Sequence, residues 1–245
     1  MEPMEMRLFC AYLRTRNYSP HTVENYARDL RLFFAPLDKK LRAVSWRDLE
    51  HFIQQQHETQ LAATTINRRL HAIKHFFEYL VMERQALTTN PVKPSHFLRQ
   101  GRPLPKQLSQ AQVRTLFAQI THPMDHALCL LILRCGLRVS EVARLRLGDI
   151  DWEQPSLRID QGKGRKDRIV YLSTDALAAR RTCLALRPAV VPDDRVFWNQ
   201  KRPHRALSTK GIQKKMERYV TKSKGWPFCN AKFGRKMHGL ANSMA

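Results

Sequence analysis

Residues 135–151 read CGLRVSEVARLRLGDID and are the most informative stretch of this 245-residue sequence. An apolar run from Ala127 to Leu133 precedes them and predicts a buried helix, which Gly136 ends. A further helix is predicted from Ser140 to Leu147. Arg138 therefore stands between the end of one helix and the start of the next, where its guanidinium can point into a cleft.

Residue type and spacing leave two interpretations of Arg138 open. A planar guanidinium offers two parallel hydrogen bonds to phosphate oxygens, which an ammonium group cannot do. Alternatively, Arg138 and Glu141 are three positions apart and form a surface ion pair on one helical turn. Spacing alone favours the ion pair.

A β-hairpin is predicted downstream of this stretch. Residues 156–160 and 168–172 have strand character and flank the turn sequence GKGRKD at 162–167. The turn lacks the G-x-x-x-x-G-K-[ST] pattern of a nucleotide-binding loop, so Lys163 by itself is interpreted as an exposed turn residue.

Helical spacing covers most of the remaining sequence, so we expect a mainly α fold with one small β-hairpin. Further helices are predicted at residues 4–14, 20–37, from 45, 63–84, 174–187 and 209–222. The first four of these form a helical domain at residues 1–90. A Pro-rich basic linker is predicted at 91–107, and Ser109 with Gln112 then forms a capping box that opens a second domain at 108–245.

The charge of the chain predicts a polyanionic partner. Lys and Arg number 43 against 21 Asp and Glu, which gives a net charge of +22. Double-stranded DNA is the favoured partner because phosphate neutralisation rewards many dispersed cations. The alternatives are a solvated basic surface and RNA binding, although the aromatic patterns of common RNA-binding modules are absent.

Other classes of protein are not favoured by the sequence. No apolar run is long enough to cross a membrane, and no basic helix carries a matching apolar face for insertion, so no membrane partner is expected. The five cysteines contain no CxxC pair, and the first residues lack a secretion signal, which together predict a cytoplasmic protein. Asp149 and Asp151 are interpreted as polar residues that follow a helix, so neither a metal nor a cofactor is expected.

The fourth predicted helix carries a basic side opposite its apolar side. Arg68, Arg69 and Lys74 lie on that basic side and are candidates for contact with DNA. A solvated helix face explains the same three residues equally well.

Several motifs together closely resemble the phage-integrase family, the tyrosine recombinases of the Xer and integron-integrase kind. They are CGLRVSEVARL at 135–145, GDID at 148–151 and GKGRKDRIVYL at 162–172. YSPHTVENY at 18–26 and TINRRL at 65–70 resemble the N-terminal domain of that family. The resemblance implies a SAM-like four-helix core-binding domain that clamps DNA at residues 1–90, and a mixed α/β catalytic domain from residue 108.

The resemblance also implies a reaction. In the family, a tyrosine hydroxyl attacks a DNA phosphodiester, forms a 3′-phosphotyrosine and releases a 5′-hydroxyl, without metal or ATP. Arg138 matches the first catalytic arginine, and Lys163 matches the hairpin lysine that protonates the departing oxygen. Glu141 matches a supporting acidic position, and we expect Arg165 and Lys166 in the same turn to contact DNA.

The last residues depart from the family pattern of His-x-Leu-Arg-His followed later by the tyrosine. His238 and Leu240 fit the start of this box, but Ala241 and Asn242 stand where the second arginine and the next histidine belong. None of the six tyrosines follows Tyr219. We therefore expect impaired catalysis in this chain, with no nucleophilic tyrosine.

Three explanations of this departure stay open: a truncated or frameshifted gene product, a deliberately altered sequence, or a natural DNA-binding relic. Whether the chain is an enzyme is left undecided. The alternative function is a non-catalytic protein that occupies or regulates recombination sites. The resemblance also implies a homo-oligomer on DNA, which is a tetramer in the family.

Overall fold

The computed structural model describes residues 3–101, 109–160, 167–188, 194–201 and 204–222. The chain divides into two compact units, Met1–Pro103 and Leu104–Ala245. Each unit has its own hydrophobic core. The predicted fold class, mainly α with one small antiparallel β-hairpin, is confirmed.

The described residues of the first unit form four α-helices: α1 Pro3–Thr15, α2 Pro20–Phe34, α3 Trp46–Glu58 and α4 Ala63–Met82. Ser19 is the N-cap of α2, and its hydroxyl accepts a hydrogen bond from the Thr22 backbone N–H at 3.1 Å. At the start of α3, Asp48 Oδ2 accepts the Ser45 backbone N–H at 2.8 Å and the Ser45 hydroxyl at 3.0 Å. The α2 helix ends at Phe34, three residues earlier than its apolar pattern predicted.

The core of the first unit lies where α2 packs against α4. Its centre is aromatic, and edge-to-face ring contacts join helices α1, α2 and α4. The buried phenylalanine and tyrosine rings are those of Phe9, Phe33, Phe34, Phe52, Phe76, Phe77 and Tyr79.

The start of the predicted linker at 91–107 contacts the first unit. Val92 and His96 are buried. The Asn67 side chain on α4 donates to the Leu98 carbonyl and accepts from the Leu98 N–H, both at 2.9 Å. Residues 91–98 therefore lie against α4, because one side-chain amide satisfies both backbone groups of Leu98.

The second unit contains the remaining helices and both strands. They are α5 Gln110–Gln119, α6 Pro123–Leu133, α7 Val139–Arg144, β1 Ser156–Ile159, β2 Arg168–Tyr171, α8 Thr174–Ala185 and α9 Thr209–Lys222. The predicted capping box of Ser109 and Gln112 opens α5, with hydrogen bonds of 3.2 and 2.9 Å. Among the described residues, no helix is long and apolar enough to span a membrane.

Helix α6 runs through the core of the second unit, and every residue from Ala127 to Leu133 is buried. It packs against α8. The chain turns at Gly136, whose φ of 64° lies in the left-handed region that favours glycine. The Leu137 N–H then donates to the Leu131 carbonyl at 3.2 Å, which closes the end of the helix.

The register of the hairpin decides which of its side chains face the core. Ser156 pairs with Tyr171, and Ile159 pairs with Arg168. Since paired residues share a face, Arg168 lies on the same side as the buried Ile159. Tyr171 lies on the opposite face and is 72% exposed.

Candidate functional site

Arg138 is the N-cap of α7, and Glu141 lies three residues later on the first turn of that helix. The Arg138 backbone N–H donates to Glu141 Oε2 at 2.8 Å, and Arg138 Nη1 donates to Oε1 at 2.7 Å. The Glu141 side chain is only 1% exposed, whereas that of Arg138 is 33% exposed. The i,i+3 ion pair is therefore present, but its carboxylate is buried and does not lie on the surface.

A second guanidinium, that of Arg168 on β2, contacts the same carboxylate. Arg168 Nη1 donates to Glu141 Oε1 at 3.0 Å, and Nη2 donates to Oε2 at 2.8 Å. Arg168 is not among the site residues predicted from the sequence. Strand alternation was the available signal, since it places this cation on the core-facing side of the hairpin.

The two arginines change the ionisation of Glu141. Burial by itself would raise the pKa of this carboxyl group, but the hydrogen bonds from Arg168 and Arg138 outweigh burial and lower the pKa to about 2. The same contact raises the pKa of Arg168. All three groups are charged at neutral pH, so the cluster has a net charge of +1.

Part of the Arg138 guanidinium stays available for a ligand. Only Nη1 bonds to Glu141, and within the described ranges Nη2 and Nε have no protein partner. These nitrogens match the paired donors that a phosphate accepts. The buried carboxylate fixes the orientation of the guanidinium, and its remaining N–H groups can bind an anion.

A hollow of about 240 Å³ adjoins Glu141. Four arginines and three carboxylates line it: Arg144, Arg146, Arg158, Arg195, Glu141, Asp149 and Asp160. Arg146 pairs with Asp194 at 3.1 Å and Arg158 with Asp160 at 3.0 Å. Arg144 forms no ion pair within the described ranges, so the hollow keeps a positive excess.

The aspartates of the GDID motif have local structural roles. Asp149 Oδ2 accepts the Arg146 N–H at 2.8 Å, and Asp151 Oδ1 accepts the N–H groups of Glu153 and Gln154 at 3.0 and 2.9 Å. In the part of the chain that the structure describes, no three metal-ligating side chains come together.

The three basic candidates on α4 have different surroundings. Arg68 forms a two-point contact with the buried Asp29, with Nη2 at 2.9 Å from Oδ1. Arg69 donates to the Gln56 side chain. Lys74 lies 3.4 Å from Glu78 in an exposed pair. Lys74 is therefore the most available of the three, because exposed pairs of this kind are weak.

Tyr219, the last tyrosine of the sequence, is held inside the second unit. Its hydroxyl on α9 donates to Asp125 Oδ2 on α6 at 2.8 Å, and Lys215 Nζ lies 3.0 Å from Oδ1 of the same carboxylate. Burial and the hydrogen bond to Asp125 raise the pKa of Tyr219. The hydroxyl is therefore tied to Asp125 and keeps its proton at neutral pH.

Four other candidates, Lys163, Arg165, Lys166 and His238, lie outside the described residues. The structure thus brings together Arg138 and Glu141 from the predicted set and adds Arg168.

Comparison with known protein families identifies the class of this protein. The "Phage integrase, N-terminal SAM-like domain" family matches residues 6–84, and the "Phage integrase family" matches residues 106–231. The chain therefore belongs to the phage integrase family, the tyrosine recombinases.

Relatives from two organisms give the same assignment. The chain is 32% identical over 226 residues to "Tyrosine recombinase XerC" of Haemophilus ducreyi, covering 88% of this chain and 73% of the relative. It is 28% identical over 235 residues to "Tyrosine recombinase XerC" of Bacillus subtilis, covering 89% of this chain and 76% of the relative.

Solved structures of integrases share the fold. The Tn1549 transposon integrase in complex with circular intermediate DNA matches with a TM-score of 0.73 at 17% identity, over 97% of this chain and 85% of that one. A lambda integrase tetramer bound to a Holliday junction matches with a TM-score of 0.74 at 15% identity, over 97% and 70%. The SAM-like and integrase assignments from the sequence are confirmed.

Proposed function

We propose that this chain acts at sites of DNA recombination or integration, where it holds double-stranded DNA through Arg138, and that the covalent step is impaired in the 245-residue polypeptide. The observation that carries the proposal is the Arg138–Glu141–Arg168 cluster. It presents a fixed, partly exposed Arg138 guanidinium, and the carboxylate that holds it, Glu141, lines a hollow with excess positive charge. Such a group matches a phosphodiester oxygen pair.

The charge of the whole chain supports binding to a duplex. A net charge of +22 allows many phosphate contacts, each of which releases counterions. Contacts of this kind position a protein on DNA without reading its sequence. Arg165 and Lys166 in the hairpin turn, and Lys74 on α4, are proposed to add such contacts.

The proposed strand-cleavage chemistry assigns one role to each residue. A tyrosine oxygen forms a bond to phosphorus, the bond to the 5′-oxygen breaks, and Lys163 gives the proton that this oxygen needs. Arg138 stabilises the charge on the phosphoryl oxygens, and we propose that His238 supports it. A 5′-hydroxyl of a second strand then attacks the phosphotyrosine, loses its proton and forms the new bond to phosphorus, while the bond to the tyrosine oxygen breaks and this oxygen regains a proton.

Two observations support impairment of the covalent step. Ala241 and Asn242 replace the second arginine and the following histidine, and loss of one such donor costs about 10²–10³ in rate. The Tyr219 hydroxyl is held by Asp125 and has a raised pKa.

A nicked suicide DNA substrate tests both parts of the proposal. We expect salt-sensitive binding that Arg138→Ala weakens, with no covalent adduct on a denaturing gel. An adduct would show that the covalent step is intact, and Tyr219→Phe would then tell whether Tyr219 carries it. Failure of the wild-type chain to bind any duplex would contradict the binding function.

The alternative is a non-catalytic protein that occupies recombination sites. The specific observation in its favour is that the Arg138 cluster is complete while the second box departs from the family pattern. A recombination assay with the homologous XerC of Bacillus subtilis and the DNA site of that enzyme tests this alternative. Addition of this chain is expected to lower the yield of recombined DNA. Arg138→Ala should weaken the inhibition.

We propose that more than one copy binds each DNA site. Lambda integrase is described as a dimer on a core site and as a tetramer on a Holliday junction. Light scattering of the DNA complex measures the number of copies, and a complex with one copy per duplex would contradict this proposal.

A further inference from the structure

We propose that Arg168 is a positioning residue that keeps Arg138 available to phosphate by saturating the Glu141 carboxylate. The inference rests on the proposed binding of a DNA phosphate by Arg138. It assigns to Arg168 an indirect role, since its own guanidinium is committed to protein.

The hydrogen bonds of Glu141 carry this inference. Its two oxygens accept four N–H donors: two from the Arg168 side chain, one from the Arg138 side chain and one from the Arg138 backbone. Arg168 thus bonds with both terminal nitrogens, one to each oxygen, whereas Arg138 uses only one. Because the carboxylate is filled, Arg138 is not drawn into a two-point contact of its own.

The placement of Arg168 fits this role. It is the first residue of β2, opposite Ile159, on the face of the hairpin that packs toward α7. The Arg168 side chain is 35% exposed, but its terminal nitrogens bond to the Glu141 carboxylate, whose side chain is 1% exposed. The contact joins β2 to α7 across 27 positions of sequence and fixes the carboxylate that orients Arg138.

The net charge of the Arg138–Glu141–Arg168 cluster is the second reason to assign this role to Arg168. Glu141 with Arg138 alone forms a neutral pair, and a neutral pair attracts a phosphate weakly. Arg168 adds a positive charge and returns the cluster to +1. A lysine at position 168 would keep this charge but has no planar fork, so it would restore the electrostatics and only part of the geometry.

Arg158 provides a matched control on the neighbouring strand. It pairs with Ile169 in the register, next to Arg168, but lies on the exposed face and contacts Asp160. Arg158→Gln and Arg168→Gln therefore remove the same charge from adjacent places on the hairpin. Arg158 also lines the hollow that adjoins Glu141, but only the second change removes hydrogen-bond donors from the Glu141 carboxylate.

The experiment measures affinity for a fluorescent random-sequence duplex in two backgrounds, wild type and Arg138→Ala. With Arg138 present, we expect Arg168→Gln to weaken binding about threefold more than Arg158→Gln does, as neighbouring residues are coupled. Arg168→Lys should recover part of the loss. In the Arg138→Ala background, the two glutamine variants should weaken binding equally.

Two results would overturn the inference. An excess effect of Arg168→Gln that persists without Arg138 would mean that Arg168 contacts DNA itself or only supports the fold. Equal effects of Arg168→Gln and Arg158→Gln with Arg138 present would mean that Arg168 does not act through Arg138. Thermal melting of each variant identifies loss of folding, and Arg168→Lys then serves as the folded comparison.

A second readout separates this inference from the proposed DNA binding. In protein labelled at arginine with ¹⁵N, the Arg138 side-chain NMR signal should shift on addition of inorganic phosphate. The shift should shrink in Arg168→Gln and not in Arg158→Gln. If the wild-type chain bound no duplex but this pattern held, the proposed function would fail and the role of Arg168 would stand; equal shifts in both variants would contradict that role.

Discussion

Glu141 makes the stability of the second unit depend on pH. Its pKa is about 2 in the folded protein against an ordinary value of 4.5, because two arginines hold the charged form. The resulting stabilisation is fully present above pH 4.5 and is lost as the pH falls toward 2. For a shift of this size it amounts to roughly 3 kcal/mol at neutral pH.

The first prediction therefore concerns Glu141→Gln. This variant should be less stable than wild type at neutral pH and should lack the steep loss of stability in acid. Urea unfolding at neutral pH and at about pH 3 measures both effects. Glu153→Gln, at an exposed carboxylate, is the control and should leave the pH dependence unchanged. A Glu141→Gln variant as acid-sensitive as wild type would contradict the assigned pKa.

At the residue scale, the sequence predicted the Arg138–Glu141 pair but neither the burial of Glu141 nor its contact with Arg168. The spacing of Arg138 and Glu141 predicts an ion pair, and it is present at 2.7 Å. Burial of Glu141 and its contact with Arg168 depend on how β2 packs against α7. No local pattern encodes a contact across 27 positions.

At the scale of elements, one buried carboxylate joins two helices of the second unit. Asp125 on α6 accepts the Tyr219 hydroxyl and lies beside Lys215, so both of its partners come from α9. This contact places polar groups between otherwise apolar helix faces, where loss of a partner is costly.

The second prediction is that Tyr219→Phe destabilises the second unit by about 1–3 kcal/mol, because Asp125 loses a buried donor. In wild type, the raised pKa keeps Tyr219 protonated in alkali that ionises ordinary tyrosines. Its stabilising effect is present below the ordinary pKa and disappears as the pH rises toward the folded value. Ultraviolet titration of tyrosinate tests this, with Tyr171→Phe on the exposed strand face as the control.

Elements were predicted well where one pattern repeats, and less well at their ends. The apolar spacing located the helices and the hairpin, but the helix expected to reach Leu147 ends at Arg144. Docking of residues 91–98 was not foreseen. It depends on the Asn67 amide meeting the Leu98 backbone from 31 positions away.

At the scale of the whole molecule, each unit buries its own apolar residues. Leu70 belongs to the core of the first unit and Leu128 to that of the second, and both are fully buried. The described residues of each core come from one unit alone.

The third prediction follows from these separate cores. Leu70→Ala should lower the free energy of unfolding of the first unit by about 2–5 kcal/mol, and Leu128→Ala should lower that of the second unit by a similar amount. Calorimetry of both variants measures which transition moves, and each variant is the control for the other. Equal shifts of a single transition in both would mean that the units unfold together.

The fourth prediction concerns electrostatic binding by the full chain. When the logarithm of DNA affinity is plotted against the logarithm of salt concentration, Lys74→Ala should make the slope shallower by about one, because one phosphate contact is lost. Arg68→Ala should chiefly lower stability, since it leaves the buried Asp29 without its partner. Affinity measured across salt concentrations and thermal melting separate the two. Lys40→Ala, at an exposed lysine outside α4, is the control, and an equal slope change there would contradict the assignment.

The left-handed turn at Gly136 restricts the amino acids that position 136 can accept. This residue ends the most buried helix of the second unit, and only Leu137 separates it from Arg138. Bulky or β-branched side chains there would strain the turn close to Arg138, whereas asparagine tolerates this region, as Asn17 does at a φ of 62°. In a saturation library sorted first for expression and then for DNA retention, we expect codon 136 to accept glycine and asparagine, and bulkier variants that survive the first sort to fail the second.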